Sequence, residues 1–142
     1  MIRIVLCITF VVLFLILMIP VGIVISVIGV FNSHAKDMAS MYLIRYAFKI
    51  LLFLAGTKVT VIGEEKIPRD EPVLYVGNHR SYFDIVATGS RVFRPTGYIA
   101  KRELKKVPLL SWWMDNIRCE FLDRKDIRQG LEIIMSCIKK VK

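Results

Sequence analysis

From Ile4 to Phe31 the chain carries no charged residue, and only Thr9, Pro20 and Ser26 interrupt a run of apolar residues and glycine. As one helix these 28 residues would be about 42 Å long, whereas a bilayer core takes about 20 residues. The surplus requires tilt, a kink or a turn. Pro20 sits near the middle and lacks a backbone donor, so one tilted span and two short membrane-embedded helices are both open. The run is too long for a cleaved signal peptide, and no small-x-small site closes it. Residues 1–31 are therefore expected to form a retained membrane anchor. A second apolar stretch, Met38 to Ala55, is interrupted by Arg45 and Lys49. It fits a helix lying along the interface with two basic side chains reaching outward, or a core helix. Residues 32–56 are assigned as this interfacial or linking helix, and 57–142 as a domain.

Beyond residue 57 the pattern alternates between strand and helix. Val59 and Val61 predict a short strand ended at Gly63, and Glu64–Pro72 a surface turn. Val73 to Val76 is a continuous apolar run, the pattern of a strand buried on both faces. Gly77 ends it, and Ser81 is a good N-cap for a helix from Tyr82 to about Arg91. Tyr98-Ile99-Ala100 predicts a strand, followed by a basic helical piece broken at Pro108 and resumed through Trp112 and Trp113. Glu120-Phe121-Leu122 predicts another strand, and Asp126 caps a final helix. There Ile127, Leu131, Ile134, Ile138 and Val141 fall on one face. The alternation implies an α/β fold, a largely parallel sheet flanked by helices. After the last helix it calls for one more strand, so the sequence is expected to be a fragment.

Charge sharpens the division. Setting aside residues 1–31 leaves 111 residues holding 20 of the 21 Lys and Arg and all 12 Asp and Glu. This excludes a disordered tail, a collagen and a disulfide scaffold. Cys7, Cys119 and Cys137 have no metal-ligand spacing and form no even framework. Lys36, Arg45 and Lys49 outnumber Arg3 and the α-amino group across the apolar run, which favours a membrane protein whose domain faces the cytoplasm. The basic excess attracts anionic partners, but no nucleic-acid motif is visible. Tyr98, Trp112 and Trp113 suit either the membrane interface or the core.

Candidate chemistry concentrates in Gly77-Asn78-His79-Arg80-Ser81-Tyr82-Phe83-Asp84, which leaves the end of a predicted strand and enters a helix. Sites in open α/β sheets lie at that end of the strands. Positions five apart on one helix diverge, so His79 and Asp84 meet only if His79 is in the loop and Asp84 in the first helical turn. Asp84 would then orient the imidazole, and the other nitrogen could take a proton from a hydroxyl. The structural alternative makes His79 a loop residue satisfied by backbone, and Asp84 an acid favourable to the helix dipole. Ser81 is better placed as a cap than as a nucleophile, which leaves the substrate itself to attack.

Asn78-His79 followed by four residues and Asp84 resembles the first signature of the glycerolipid acyltransferases, the 1-acylglycerol-3-phosphate acyltransferase family. Lys101-Arg102-Glu103-Leu104 with Pro108 and Ser111 is similar to a second conserved stretch, with Ser111 in place of the usual glycine. Phe121-Leu122-Asp123-Arg124 is similar to the signature Phe-Ile-Asp-Arg. The likeness spans about Val73 to Asp126. The family's Glu-Gly-Thr-Arg signature is not found before Lys142, so the resemblance implies the N-terminal part of a truncated member, impaired by truncation.

The resemblance implies direct acyl transfer from a thioester, on coenzyme A or acyl carrier protein, to the free hydroxyl of lysophosphatidate. No cofactor or metal is implied. His79 would be the general base and Asp84 its orienting partner. Arg124 would pair with the acceptor phosphate, Arg80 and Lys101 would add positive potential, and Asn78 belongs to the same signature. The structural alternative for Arg124 is a salt bridge to Asp123 or Asp126. Two other functions compete: a non-catalytic membrane-anchored module binding anionic lipids, and a hydrolase using His79 and Asp84 on water.

Overall fold

The computed structural model describes residues 1–123 and 126–141. It is mostly helical. α1 (Ile2–Leu17) and α2 (Ile19–Phe31) are separate helices meeting at Met18, bent by 51°. Pro20 lies in the first turn of α2, where its missing N–H costs nothing. The apolar run is thus broken near Pro20 into two helices. α3 (Ser33–Ala55) follows after the single residue Asn32, whose side chain caps it by accepting the Ala35 N–H at 2.9 Å. α3 is long and apolar enough to cross a membrane by length and composition.

α3 runs along both halves of the bent pair, packing on α2 and on α1. Its C-cap, Gly56, is left-handed at φ 67°, and the Arg3 guanidinium lies against it. That puts a cation where the helix carbonyls are unpaired. Most side chains of α1 and α2 are exposed, among them Ile4, Val12, Ile23 and Phe31. An apolar surface of this extent marks a membrane or protein contact.

The remaining elements are α4 (Tyr82–Gly89), β1 (Ile99–Lys101), α5 (Pro108–Asn116), β2 (Glu120–Leu122) and α6 (Ile127–Val141). β1 and β2 pair in parallel, Ala100 opposite Phe121. They coincide with two expected strands to within a residue. The basic piece after β1 is a short 3-10 helix, Arg102–Lys106.

The larger sheet expected from the pattern is not observed among the described residues. Val59 and Val61 lie in exposed, irregular chain, and Val73 to Val76 is unpaired, with Leu74 and Val76 86% and 87% exposed. A continuous apolar run becomes a buried strand only if neighbours complete its ladder and layers cover both faces. Here β1 and β2 pair only with each other. α6 corrects a second expectation. Leu131, Ile134 and Ile138, three of the five stripe residues, are exposed, and Ile133 is the buried one. Ile127 and Val141 belong to α6, but their side chains are outside the described set.

α5 joins the domain to the N-terminal helices. Trp113 is 2% exposed, its ring 5.9 Å from Phe14 of α1 and 5.5 Å from Trp112. A Cβ on Gly22 of α2 would run into the Trp112 ring, so glycine admits the indole pair beside the bend. Trp113 is thus a core residue, while Trp112 is half-buried.

Trp113→Ala should lower stability by about 3–5 kcal/mol. Trp113→Phe should cost less, because the indole N–H is buried without a partner among the described residues and phenylalanine removes it. Thermal unfolding in detergent checks the order.

Candidate active site

The site is built at the N-terminus of α4. Ser81 is the N-cap in extended geometry, φ −148°, and its hydroxyl accepts the Phe83 N–H at 3.2 Å. Asp84, three residues on, reaches back and accepts the Ser81 N–H at 2.8 Å. This reciprocal arrangement is a capping box. The same atom, Asp84 Oδ2, accepts the Arg80 N–H at 2.7 Å. The carboxylate folds the loop over the helix end and brings His79, two residues before the cap, within its reach.

His79 Nδ1 stands 3.4 Å from Asp84 Oδ2. This is ion-pair range, longer than a formed hydrogen bond. The Ser81 and then the Arg80 backbone N–H hold the Asp84 carboxyl below its ordinary pKa, with His79 adding less. A carboxylate that stays ionised can support a positive imidazolium beside it. His79 is half exposed, and its Nε2 makes no hydrogen bond among the described residues. An imidazole with one nitrogen facing a carboxylate and the other open can accept a proton from a substrate hydroxyl.

Asn78 and Arg80 are exposed in the same loop, where Arg80 contributes its backbone N–H. Lys101 is exposed at the C-terminal end of β1, and no bond or ion pair joins it to the His79 loop among the described residues. Arg124 lies outside the described residues. Two cavities of the described residues lie away from His79 and Asp84: a small pocket by Asp37 and Arg118, and an open groove of about 370 Å³ by Phe121 and Ile133.

One linkage was not anticipated. Arg102 Nη1 binds Asp123 Oδ2 at 3.0 Å, joining the Lys-Arg-Glu-Leu stretch to the Phe-Leu-Asp-Arg stretch. Parallel pairing carries both segments off the same end of the two-stranded sheet. The Asp123 N–H also donates to Gln129 Oε1 at 3.0 Å, anchoring this turn to α6. The opposite charges were visible in the sequence, but their meeting depends on strand register.

Among the described residues no cluster of His, Cys, Asp and Glu could hold a metal ion. Cys119 is not a usable nucleophile: burial pushes its thiol up to about 11.

A histidine held in a loop beside the acid of the following helix is an arrangement suited to acid–base chemistry. The family model described as Acyltransferase matches residues 58–142, and the chain belongs to that family. It is 31% identical over 108 residues to the 1-acyl-sn-glycerol-3-phosphate acyltransferase of Saccharomyces cerevisiae, covering 75% of this chain and 35% of that protein. It is 30% identical to the protein of that name from Borreliella burgdorferi, over 70% of this chain and 40% of the relative. With a probable 1-acyl-sn-glycerol-3-phosphate acyltransferase of Mycoplasma genitalium it shares 39% identity, over 55% and 30%. The chain thus spans between 30% and 40% of these relatives' length. No solved structure matches it.

The loop should loosen in acid. The Asp84 pKa is depressed on folding, so its contribution is present above the ordinary carboxylate value and is lost as pH falls through the lower folded value. Amide exchange at Arg80 and Ser81 should accelerate below that pH. In Asp84→Asn it should be fast throughout, with no step in this window.

Proposed function

We propose that this protein is a membrane-associated acyltransferase that moves an acyl group from a thioester to the free hydroxyl of 1-acyl-sn-glycerol 3-phosphate, in phospholipid synthesis. The observation that carries the reading is the 3.4 Å approach of His79 to Asp84, in a loop that leaves Nε2 open. The names of the relatives support the substrate class.

In this reaction His79 Nε2 takes the proton of the acceptor hydroxyl as its oxygen attacks the thioester carbonyl. The tetrahedral adduct collapses, the carbon–sulfur bond breaks, and the ester remains on the glycerol. The proton on His79 passes to the departing thiolate, so the base is restored without a cofactor. Asp84 supports the imidazolium formed between the two steps. No acyl-enzyme is required: the hydroxyl of Ser81, two residues from His79, is engaged as the cap of α4. The donor is coenzyme A or acyl carrier protein.

Arg124 binds the acceptor phosphate, whose oxygens suit a guanidinium fork. Asn78, Arg80 and Lys101 complete the binding surface, the two cations through their potential. The exposed apolar surface of α1 and α2 supports membrane attachment, and the basic residues after it favour a domain on the cytoplasmic side.

His79→Ala should cut acyl transfer to lysophosphatidate by about 10²–10⁴-fold while sedimentation with membranes is unchanged. Near-normal turnover would remove His79 from the chemistry. Thioester cleavage independent of the acceptor would assign a hydrolase instead.

Arg124→Ala should raise the Michaelis constant for lysophosphatidate and leave that for the thioester alone. Arg124→Lys should rescue only partly, because an ammonium lacks the bidentate fork. Separate acceptor and donor kinetics distinguish this from a scaffold ion pair, which would lower the melting temperature with both constants unchanged.

A further inference from the structure

Arg45 lies almost at the midpoint of α3. If α3 crossed a membrane, this charge would sit near the bilayer centre, an expensive position. The structure gives Arg45 another use. Its side chain turns toward the domain instead of reaching outward: Nε donates to the Ser90 carbonyl at 3.2 Å, and the guanidinium lies 5.6 Å from the Phe93 ring. Arg69 approaches the same ring at 4.5 Å. Arg94 Nη1 donates to the Arg69 carbonyl at 3.3 Å. Two guanidinium groups thus share the Phe93 ring, and a third, that of the neighbouring Arg94, is held on the Arg69 carbonyl, just past the C-terminal end of α4.

No carboxylate pairs with any of the three among the described residues. The nearby Glu64 is engaged by Arg91, and Asp70 and Glu71, which follow Arg69 in sequence, pair with none of them. Like charges crowded on one ring repel, and an anion that bridges them relieves that cost.

The adjoining face of α3 indicates where the anion resides. Tyr42, Tyr46, Ile50 and Phe53 recur at helical spacing and are 48%, 62%, 45% and 82% exposed. Aromatic and aliphatic side chains in such a stripe suit the headgroup boundary of a bilayer. Lys49, one turn beyond Arg45, places its ammonium 5.5 Å from the Tyr46 ring and links the stripe to the arginine cluster. The docking of Arg45 on the domain suits an α3 that lies along a membrane surface better than one that crosses it.

We propose that Arg45 and Arg69 on the Phe93 ring, with Arg94 held on the Arg69 carbonyl, form a docking surface for the phosphate headgroups of an anionic bilayer. It lies past the C-terminal end of α4, whereas His79 lies before its N-terminal end, about 12 Å of helix away. It presses the domain against anionic membrane in addition to the apolar hold of α1 and α2.

The test is sedimentation of the whole chain with vesicles of phosphatidylcholine alone, and of phosphatidylcholine doped with phosphatidylglycerol. Wild type should bind the doped vesicles more tightly. Arg69→Gln/Arg94→Gln should lose roughly 25-fold of that gain, at about five-fold per arginine, with binding to neutral vesicles unchanged. Lys105→Gln/Lys106→Gln removes the same charge from another part of the domain and should lose much less. Equal losses from the two pairs would overturn the site in favour of diffuse charge. Should the double variant fold poorly, Arg69→Gln alone, whose side chain makes no hydrogen bond among the described residues, should lose about five-fold; no loss overturns the proposal. Inorganic phosphate exchanged for chloride at constant ionic strength should not release the protein. Release would assign the site to a soluble phosphate and overturn bilayer docking.

Discussion

Asp84 Oδ2 is the acceptor on which the whole loop before α4 depends. It takes the N–H groups of Arg80 and Ser81 and faces His79 Nδ1, so one carboxylate oxygen caps a helix, folds a loop and stands beside an imidazole. These tasks reinforce one another. Two backbone donors converging on one oxygen, with His79 beside it, favour the ionised carboxylate, and the ionised form is what a protonated imidazole needs beside it. The spacing of histidine and aspartate follows from capping geometry. The acid must be three residues after the cap to close the box, and the histidine two residues before it to come within reach. The structural and chemical readings of Asp84, alternatives in the sequence, describe the same contact.

This accounts for what could be read before the fold was seen. The cap at Ser81, the strands around Ala100 and Phe121 and the break near Pro20 are local events, decided by a few adjacent residues. The ladder expected at Val73 to Val76 depends on strands elsewhere, and apolarity alone does not supply them. The stripe on α6 failed for a related reason: periodicity identifies an apolar face, but not what covers it. Arg102 and Asp123 stand far apart in sequence, so their pairing became visible only with the register of β1 and β2. For Arg45, a basic residue in an apolar helix suggested an outward reach, yet Phe93 and the Ser90 carbonyl offered it a site on the domain.

α3 and α5 together decide how the two regions of the chain are coupled. α3 contacts α1, α2, α4 and α5, so it shares a surface with both the apolar helices and the domain. Trp113 makes the second connection, seated where α1 and α2 diverge and where Gly22 leaves room for it. Two attachments at separate points resist hinge motion better than a single linker. α4, whose N-terminal end carries the His79 loop, is therefore held to the apolar helices through α3.

The burial of Trp113 against Phe14 also bears on how the protein is handled at the bench. Trimming away the N-terminal helices would not release a well-behaved soluble domain. It would strip the cover from one face of α5 and leave an indole pair in water, beside Leu74, Val76 and the apolar side of α6, which are already uncovered. Such a piece would carry several greasy surfaces and no lipid to meet them, and would be prone to self-association. Micelles or nanodiscs around the uncut chain are the conditions in which its chemistry is best measured.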